Sequence, residues 1–225
     1  MADTRQLVLN IRPEAEPRFD NFMPGDNLEL LLALDTLARG ELKEVVAYIW
    51  GPPGSGRSHL LRATVAEACE HGRPAAYVTG AALPDELDGL LAVDDVDDLD
   101  AETQVRLFSL INQAREGAGA LLAAGPAAPA RLPVREDLAT RLSWGLVFGL
   151  RPLNEADRAT AIRERAFALG LNLTDEVVRY LLTRGRRDLP SLLATIDALD
   201  GYSLSLKRPV TVPLMREFLG DKVSK

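Results

Sequence analysis

The feature that most constrains this sequence is a glycine-rich turn set between an apolar run and a helical pattern. Residues 45–50 are apolar and rich in β-branched and aromatic side chains, and the turn at 51–56 follows directly. Residues 58–65 then have the apolar spacing of a helix. A strand, a glycine-rich loop and a helix in this order form a phosphate-binding loop, because loop N–H groups and the helix dipole face one point. We therefore predict a nucleotide phosphate site here.

The loop departs from the pattern G-x-x-x-x-G-K-[ST] at one position. Arg57 stands where the pattern has lysine, and Ser58 stands where a hydroxyl would meet Mg²⁺. The planar guanidinium is not equivalent to a compact ammonium group between terminal phosphates. We expect nucleotide binding to be retained and the chain's own hydrolysis to be slow. The alternative is a tight turn that only caps a helix.

Composition narrows the class of protein. The chain has 225 residues, of which 47% are hydrophobic and 26% charged, as in an ordinary globular protein. A net charge of −7 argues against a protein that covers nucleic acid phosphates. No apolar run is long enough to cross a membrane, and no leader pattern opens the sequence. The single cysteine, Cys69, excludes an internal disulfide; we expect it to be buried and the protein to be cytoplasmic.

Strand patterns alternate with helical patterns through the first two thirds of the chain. Beyond 45–50, strands are predicted at 75–79, 90–95, 120–124 and 144–150. This alternation predicts an α/β fold with a parallel, doubly wound, five-stranded sheet and helices on both faces. Four helices are predicted after it, at 154–169, 174–183, 189–199 and 213–219. The predicted organisation is an extended arm (1–18), an α/β nucleotide-binding domain (19–151) and a helical lid (152–225).

Four side chains are assigned roles by these predicted elements. Asp94 and Asp95 end the predicted third strand, at the sheet edge where a phosphate loop and Mg²⁺ are expected. A calcium loop counted from Asp95 is disfavoured, because its sixth position is Asp100 rather than glycine. Asp100 is expected to cap a helix over 101–116, and Asn27 to cap one over 28–38.

The first residues contain an alternating apolar pattern, formed by Gln6, Leu7, Leu9 and Ile11. In an extended chain the three apolar side chains lie on one side. An edge strand that packs on the protein itself explains this pattern. The alternative is a docking peptide, with a glutamine for hydrogen bonds and alternate apolar anchors for a pocket.

Together these segments resemble the initiator branch of the AAA+ ATPases, from Phe19 to Leu219. Residues 19–27 are similar to the segment that packs beside adenine in that family. Residues 51–58 and 94–95 are similar to its Walker A and Walker B motifs. Residues 137–142 resemble its box VII, which implies that Arg141 is an arginine finger for a neighbouring subunit's ATP site. Arg187 resembles the sensor 2 arginine of the lid.

Within this branch the sequence is most similar to the regulatory inactivators of the replication initiator DnaA. The chain has no counterpart of DnaA's helix-turn-helix domain, so we expect no sequence-specific DNA binding. It also lacks a counterpart of the initiator's N-terminal domain, and the segment between Thr79 and Leu90 is too short for the helices that initiators use on single-stranded DNA. Gln6–Ile11 is similar to the sliding-clamp-binding motif of these inactivators, which favours the docking peptide.

The resemblance implies a set of functional residues. The clamp-binding residues are Gln6, Leu7, Leu9 and Ile11, and Ser58 and Asp94 are implied for Mg²⁺ held through the nucleotide. The nucleotide, ADP or ATP, is expected to contact Phe19, Phe22, Gly51, Pro52, Pro53, Gly54, Ser55, Gly56, Arg57, Ser58, His59, Asp94, Asp95 and Arg187.

The resemblance implies a negative regulator of replication initiation. An ADP-bound chain docks on the β subunit sliding clamp, and Arg141 stimulates hydrolysis of the ATP bound to DnaA. Arg131 or Arg135 is an alternative finger. The alternatives are a helicase-loader type ATPase and an AAA+ scaffold without nucleotide.

Residues 121–126 lack the polar side chain of sensor 1, and the Walker B pair has no glutamate, so we expect weak or no ATPase activity. The oligomeric state stays open, with a homodimer as one candidate.

Overall fold

A parallel five-stranded sheet forms the centre of the larger of two compact units. The computed structural model describes residues 16–80, 82–185 and 188–220. One unit spans Glu16–Pro152, and the described residues from Leu153 onward belong to the other. The strand order is β2-β3-β4-β1-β5, with β1 at Val46–Trp50, β2 at Ala75–Thr79, β3 at Gly89–Asp94, β4 at Gly119–Gly125 and β5 at Leu146–Gly149.

Alternate residues of the strands face two separate hydrophobic cores. On one side Ala47 and Ile49 pack with the buried faces of α1 (Leu28–Arg39) and α2 (Arg57–Glu70). On the other side Val46 and Tyr48 pack with α3 (Ala101–Gln113) and α4 (Glu136–Leu142). The strands that are covered on both faces are almost wholly apolar, as a parallel sheet requires. The predicted sheet with helices on both faces is confirmed.

Several element boundaries differ from the predicted ones. Asp100 caps α3 as predicted, because its Oδ1 accepts a hydrogen bond from the Thr103 N–H at 2.8 Å. However, α3 ends at Gln113, and a π-helical turn, Ala114–Ala118, leads into β4. The last strand starts at Leu146 instead of Trp144, whose side chain lies outside the sheet and is 50% exposed.

Asn27 does not cap α1 with its side chain, although it lies at the N-cap position. Its amide Nδ2 donates to the carbonyl oxygens of Pro24 and Arg151, each at 3.0 Å. Its Oδ1 accepts from the Arg151 N–H at 2.8 Å. The expectation of a local cap was therefore wrong, because this buried amide instead joins the loop before α1 to the chain that follows β5.

Cys69 is also placed differently from the prediction. It is exposed on α2, whereas we expected a buried side chain. The helix turns a different face to the core, which includes Leu60, Leu61, Thr64 and Ala68.

The second unit, the lid, is helical throughout its regular structure. Its helices are α5 (Glu155–Ala168), α6 (Asp175–Arg184), α7 (Leu189–Leu206) and α8 (Val212–Leu219). Asn154 and Thr174 cap α5 and α6 as predicted. The lid has its own core, which includes Ile162, Leu181, Ile196 and Met215.

Helix α7 is longer than predicted and continues past Gly201 to Leu206. Its buried residues Leu192, Ile196, Leu199 and Ser203 keep helical spacing across the glycine, so packing outweighs the low helix propensity of that residue. Among the described residues, no helix is both long enough and apolar enough to cross a membrane.

Candidate functional site

The predicted phosphate loop lies at the carboxyl edge of the sheet. In a parallel sheet all strands end at the same edge, so the loop after β1 lies near the ends of β3 and β4. Trp50 is paired in register with Gly125, and Thr79 with Asp94. The fold therefore brings together the loop, the Asp94–Asp95 pair and Gly125.

Glycine conformation shapes the loop. Gly54 and Gly56 have φ angles of 77° and 101°, a region that L side chains rarely adopt. A Cβ atom on Gly56 would also lie 2.6 Å from Cε2 of Phe22. Gly56 is the N-cap residue of α2. Because glycine has no side chain, the N–H groups of the first turn are not capped by the N-cap residue. The turn thus presents a helix N-terminus beside a compact loop, which is the arrangement that binds a phosphate.

Two buried polar atoms of the loop have no hydrogen-bond partner within the described structure: Ser55 Oγ and Arg57 Nη1. The side chain of Arg57 is only 12% exposed, and its Nη2 lies 3.4 Å from Asp95 Oδ1. A buried donor without a partner costs free energy, which a bound anion would recover. These residues therefore fit the phosphates of a nucleotide, with the guanidinium in the place of the usual lysine.

Asp94 and Asp95 differ in environment although they are neighbours. Asp94 is fully buried; its Oδ2 accepts a hydrogen bond from the Tyr77 hydroxyl at 2.9 Å, and its Oδ1 accepts from the Asp95 N–H at 3.0 Å. Asp95 is partly exposed and has a φ of 49°. Burial, then the charge of Asp94, raises the pKa of Asp95, while Arg57 opposes that shift.

The two acids and Ser58 suit Mg²⁺ that is bound through a nucleotide. Each oxygen of Asp94 retains a free lone pair, because each accepts one hydrogen bond. Ser58 is exposed on the first turn of α2. The described residues contain no group of three histidine, cysteine or acidic side chains that could hold a metal by themselves. The fit to Mg²⁺ thus depends on nucleotide oxygens for the remaining ligands.

Phe19, Phe22 and His59 form one side of the loop region. The two phenylalanines are half-buried against the core beneath α1 and α2. The rings of Phe22 and His59 have centroids 5.4 Å apart, and Nε2 of His59 lies 2.9 Å from the carbonyl oxygen of Arg18. His59 therefore fastens this segment to α2 and holds Phe22 against Gly56.

Tyr48 is a residue of the site that the sequence did not indicate. Its hydroxyl occupies the space that a side chain on Gly125 would fill, and it donates a hydrogen bond to the Ala127 carbonyl at 2.7 Å. Burial, then the charge of Asp97, raises the pKa of Tyr48, so the hydroxyl keeps its proton. The space beside Gly125 is thus filled from the neighbouring strand β1, a contact that only the sheet register reveals.

Arg141, the predicted finger, lies at the opposite edge of the sheet. It sits in the last turn of α4, and it lines a cavity together with Val45, Val46 and Gly145, which lie at the amino ends of β1 and β5. Its guanidinium carbon is 3.9 Å from the ring centroid of Trp144 and 4.9 Å from that of Phe108. The structure does not bring Arg141 together with the chain's own phosphate loop.

The alternative fingers and the remaining predicted residues have other positions. Arg135 forms a bidentate ion pair with Asp137, with N–O distances of 2.7 and 3.1 Å, and this hydrogen bonding lowers the pKa of Asp137. Arg131 is exposed at the end of a short 3₁₀ turn. Arg187 and the clamp-motif residues Gln6, Leu7, Leu9 and Ile11 lie outside the described residues.

Comparison with known proteins finds a family match for the second unit and structures with the same fold for most of the chain. Residues 155–219 match the family model of the Hda lid domain. Domain III of the Thermotoga maritima replication initiation protein DnaA superposes with a TM-score of 0.76 at 21% identity, covering 94% of this chain and 99% of that chain. AMPPCP-bound DnaA from Aquifex aeolicus gives a TM-score of 0.72 at 22% identity, over 86% of this chain and 69% of that one.

A RuvB structure has the same architecture. A RuvB variant from Thermotoga maritima superposes with a TM-score of 0.71 at 18% identity, over 91% of this chain and 72% of that chain. At such identities the superpositions report the fold alone, and the lid match supplies the closer relationship. The chain therefore has the fold of DnaA domain III, and residues 155–219 match the lid domain of Hda.

Proposed function

We propose that this protein is a DnaA-related regulator of replication that activates hydrolysis in a partner's ATP site. Arg141 enters the site of ATP-bound DnaA and stabilises the charge that develops as the γ-phosphate leaves. The product is ADP-bound DnaA, and initiation stops. The Hda-type lid and the DnaA-like fold support this assignment.

The position of Arg141 carries the proposal. Its cavity lies at the amino ends of β1 and β5, whereas the chain's own loop lies at the carboxyl end of β1. The five residues of β1 separate these edges by roughly 17 Å, at about 3.3 Å per residue, which exceeds the length of an arginine side chain. A finger at this edge acts on a nucleotide held by another subunit.

The chain's own loop is proposed to hold ADP as a structural ligand. One structure with the same fold is DnaA bound to AMPPCP, which supports an adenine nucleotide. Ser55 and Arg57 offer it buried, unpartnered polar atoms. Residues 121–126 lack the polar side chain expected of sensor 1, and an aspartate stands where a Walker B motif has glutamate, so this loop lacks the two usual groups that orient a water for attack. Turnover at this site is therefore slow.

The arm is proposed to recruit the protein to copied DNA. Gln6, Leu7, Leu9 and Ile11 bind the sliding clamp, and the clamp marks where DnaA is to be inactivated. Support for this step comes from the sequence motif alone.

The test is ATP hydrolysis by DnaA in the presence of this protein, ADP and DNA-loaded clamp. Wild type is expected to accelerate turnover. Arg141→Ala is expected to remove roughly 10³-fold or more of that acceleration, because an arginine finger in trans supplies about 10³–10⁵ in rate. Arg131→Ala and Arg135→Ala are the matched controls, since both are exposed arginines near α4.

The outcomes separate the candidate functions. If Arg131→Ala or Arg135→Ala abolishes stimulation and Arg141→Ala does not, the finger has been assigned to the wrong arginine. If wild type does not stimulate DnaA while the chain alone hydrolyses ATP steadily, the protein is a self-hydrolysing loader ATPase.

A further inference from the structure

Trp144 contacts two arginine side chains that come from different elements. Arg141, at the end of α4, lies over the indole ring with its guanidinium carbon 3.9 Å from the centroid. Arg115, in the π-helical turn between α3 and β4, lies over the same ring at 4.6 Å. The two guanidinium carbons can be no farther apart than these two distances combined. One half-exposed aromatic ring thus holds two cations close to each other.

The surroundings of this pair are cationic. The cavity beside it has a volume of about 230 Å³, and Lys43, Arg115 and Arg141 line it with Glu44 as the one carboxylate among its lining residues. Within the described residues neither arginine forms an ion pair with a carboxylate. This surface is therefore locally positive on a chain whose net charge is −7. Such a concentration of like charge favours an anion in the cavity.

The contacts with Trp144 leave the donors of both arginines available. A cation–π contact acts through the charge of the guanidinium and does not use its five N–H donors. Those groups match the oxygens of a phosphate, which they can bind through two parallel hydrogen bonds. The contact with the ring also restricts long side chains that would otherwise lose rotamer entropy on binding. Trp144 is thus suited to hold both guanidinium groups ready for a phosphate.

We propose that Arg115 is a second phosphate-directed cation that acts beside Arg141, with Trp144 as the positioning residue for both. The ligand is the triphosphate of a nucleotide held by the partner. This inference rests on the proposed function, because it places Arg115 in the same partner site. The surface of the isolated protein therefore binds polyphosphate weakly. In the complex with the partner, the two arginines stabilise the negative charge that develops in the transition state.

The test compares arginine and tryptophan variants in the DnaA turnover assay at saturating concentrations of this protein. Arg115→Ala is expected to lower the maximal stimulated rate about 10- to 150-fold, the range for a hydrogen bond to a charged group. The half-maximal concentration changes far less. Arg115→Lys restores only part of the rate, because an ammonium lacks the planar fork. Trp144→Phe retains most of the rate, whereas Trp144→Ala does not.

The matched control is Arg106→Ala, which removes a cation of α3 that pairs with Asp85 and Glu102. Equal rates for Arg115→Ala and this control, with Arg141→Ala inactive, would overturn the role of Arg115 and leave the finger intact. If Trp144→Phe loses as much rate as Trp144→Ala, an aromatic ring at this position is not sufficient to hold the arginines. That result would overturn the positioning role of Trp144.

A second measurement does not need DnaA. Inorganic tripolyphosphate is titrated into ADP-saturated protein that carries Trp50→Phe, so that Trp144 is the fluorescent reporter. An emission change that disappears in Arg115→Ala supports the anion site, and its absence overturns that site. If wild type fails to stimulate DnaA, the proposed function is wrong. The titration then still shows, by itself, whether Arg115 and Trp144 form an anion-binding site. Single-stranded DNA in place of tripolyphosphate tests the other source of phosphate; tighter Arg115-dependent binding of DNA would overturn a nucleotide ligand.

Discussion

Replacing Arg57 by methionine tests whether the buried guanidinium of the loop is a phosphate ligand. The side chain is 12% exposed, its Nη1 is buried without a partner, and its Nη2 reaches Asp95 at only 3.4 Å. A buried unsatisfied donor costs about 1–3 kcal/mol. Methionine has a flexible apolar side chain and needs no partner. We therefore expect Arg57→Met without nucleotide to melt no lower than wild type.

The same substitution has the opposite effect once ADP is present. A hydrogen bond between charged groups contributes about 1.5–3 kcal/mol, so its loss raises the Kd for ADP roughly 10- to 150-fold. At 100 times the wild-type Kd, ADP stabilises wild type by about 2.7 kcal/mol. At that concentration the variant gains only about 0.3–1.3 kcal/mol. For a chain of this length the ADP-induced rise in Tm falls from about 5–11 °C to about 1–5 °C.

Scanning calorimetry with and without ADP measures both effects. Arg39→Met is the matched control, because it removes an exposed arginine of α1 that pairs with Asp35 and Glu67. An ADP-induced shift in Arg57→Met equal to that of wild type would refute the contact between Arg57 and phosphate. A drop of more than about 5 °C in the Tm without nucleotide would refute the argument from the unpartnered donor, because it would make the guanidinium a structural group.

Two further predictions concern stability. Asn27→Ala is expected to lower the free energy of unfolding, measured by urea denaturation, by about 2–4 kcal/mol. The reason is that the Arg151 N–H and the carbonyls of Pro24 and Arg151 lose a buried partner. A loss as small as that of the exposed Asn21→Ala would contradict this account. Because the pKa of Asp95 is raised above 3.8, the folded state loses stability as pH rises through that range. Asp95→Asn removes this cost and tolerates a φ of 49°, so it should stabilise the protein at pH 7 and lose that advantage at acidic pH. The gain is small, because the Asp95 side chain is 45% exposed and solvent screens its charge.

Features that depend on a few consecutive residues could be predicted from the sequence. Asp100, Asn154 and Thr174 cap their helices as expected, since each cap is a bond to an N–H three residues ahead. The order of strands and helices follows from apolar periodicity, and a parallel sheet follows from their alternation. The carboxyl edge then places the phosphate loop beside Asp94, because parallel strands end together.

Features that depend on pairing between distant segments could not be predicted. The side chain of Asn27 bonds to Arg151, which is 124 residues away, so a local cap rule cannot describe it. The hydroxyl of Tyr48 reaches the space beside Gly125 only because β1 and β4 are neighbours in the sheet. The stack of Arg115 on Trp144 likewise joins two elements whose proximity is set by packing.

The placement of Arg141, the proposed finger, and the phosphate loop at opposite edges of one sheet has a consequence for self-association. A two-fold symmetric dimer uses the same patch on both copies, so it cannot seat a finger of each copy in the loop of the other unless the interface spans both edges. Contacts of finger to loop between identical chains are head-to-tail and leave one edge free at each end. Each copy added in this way would cover one Arg141 and expose another. A linear assembly of any length would therefore have one uncovered Arg141, at one of its two ends.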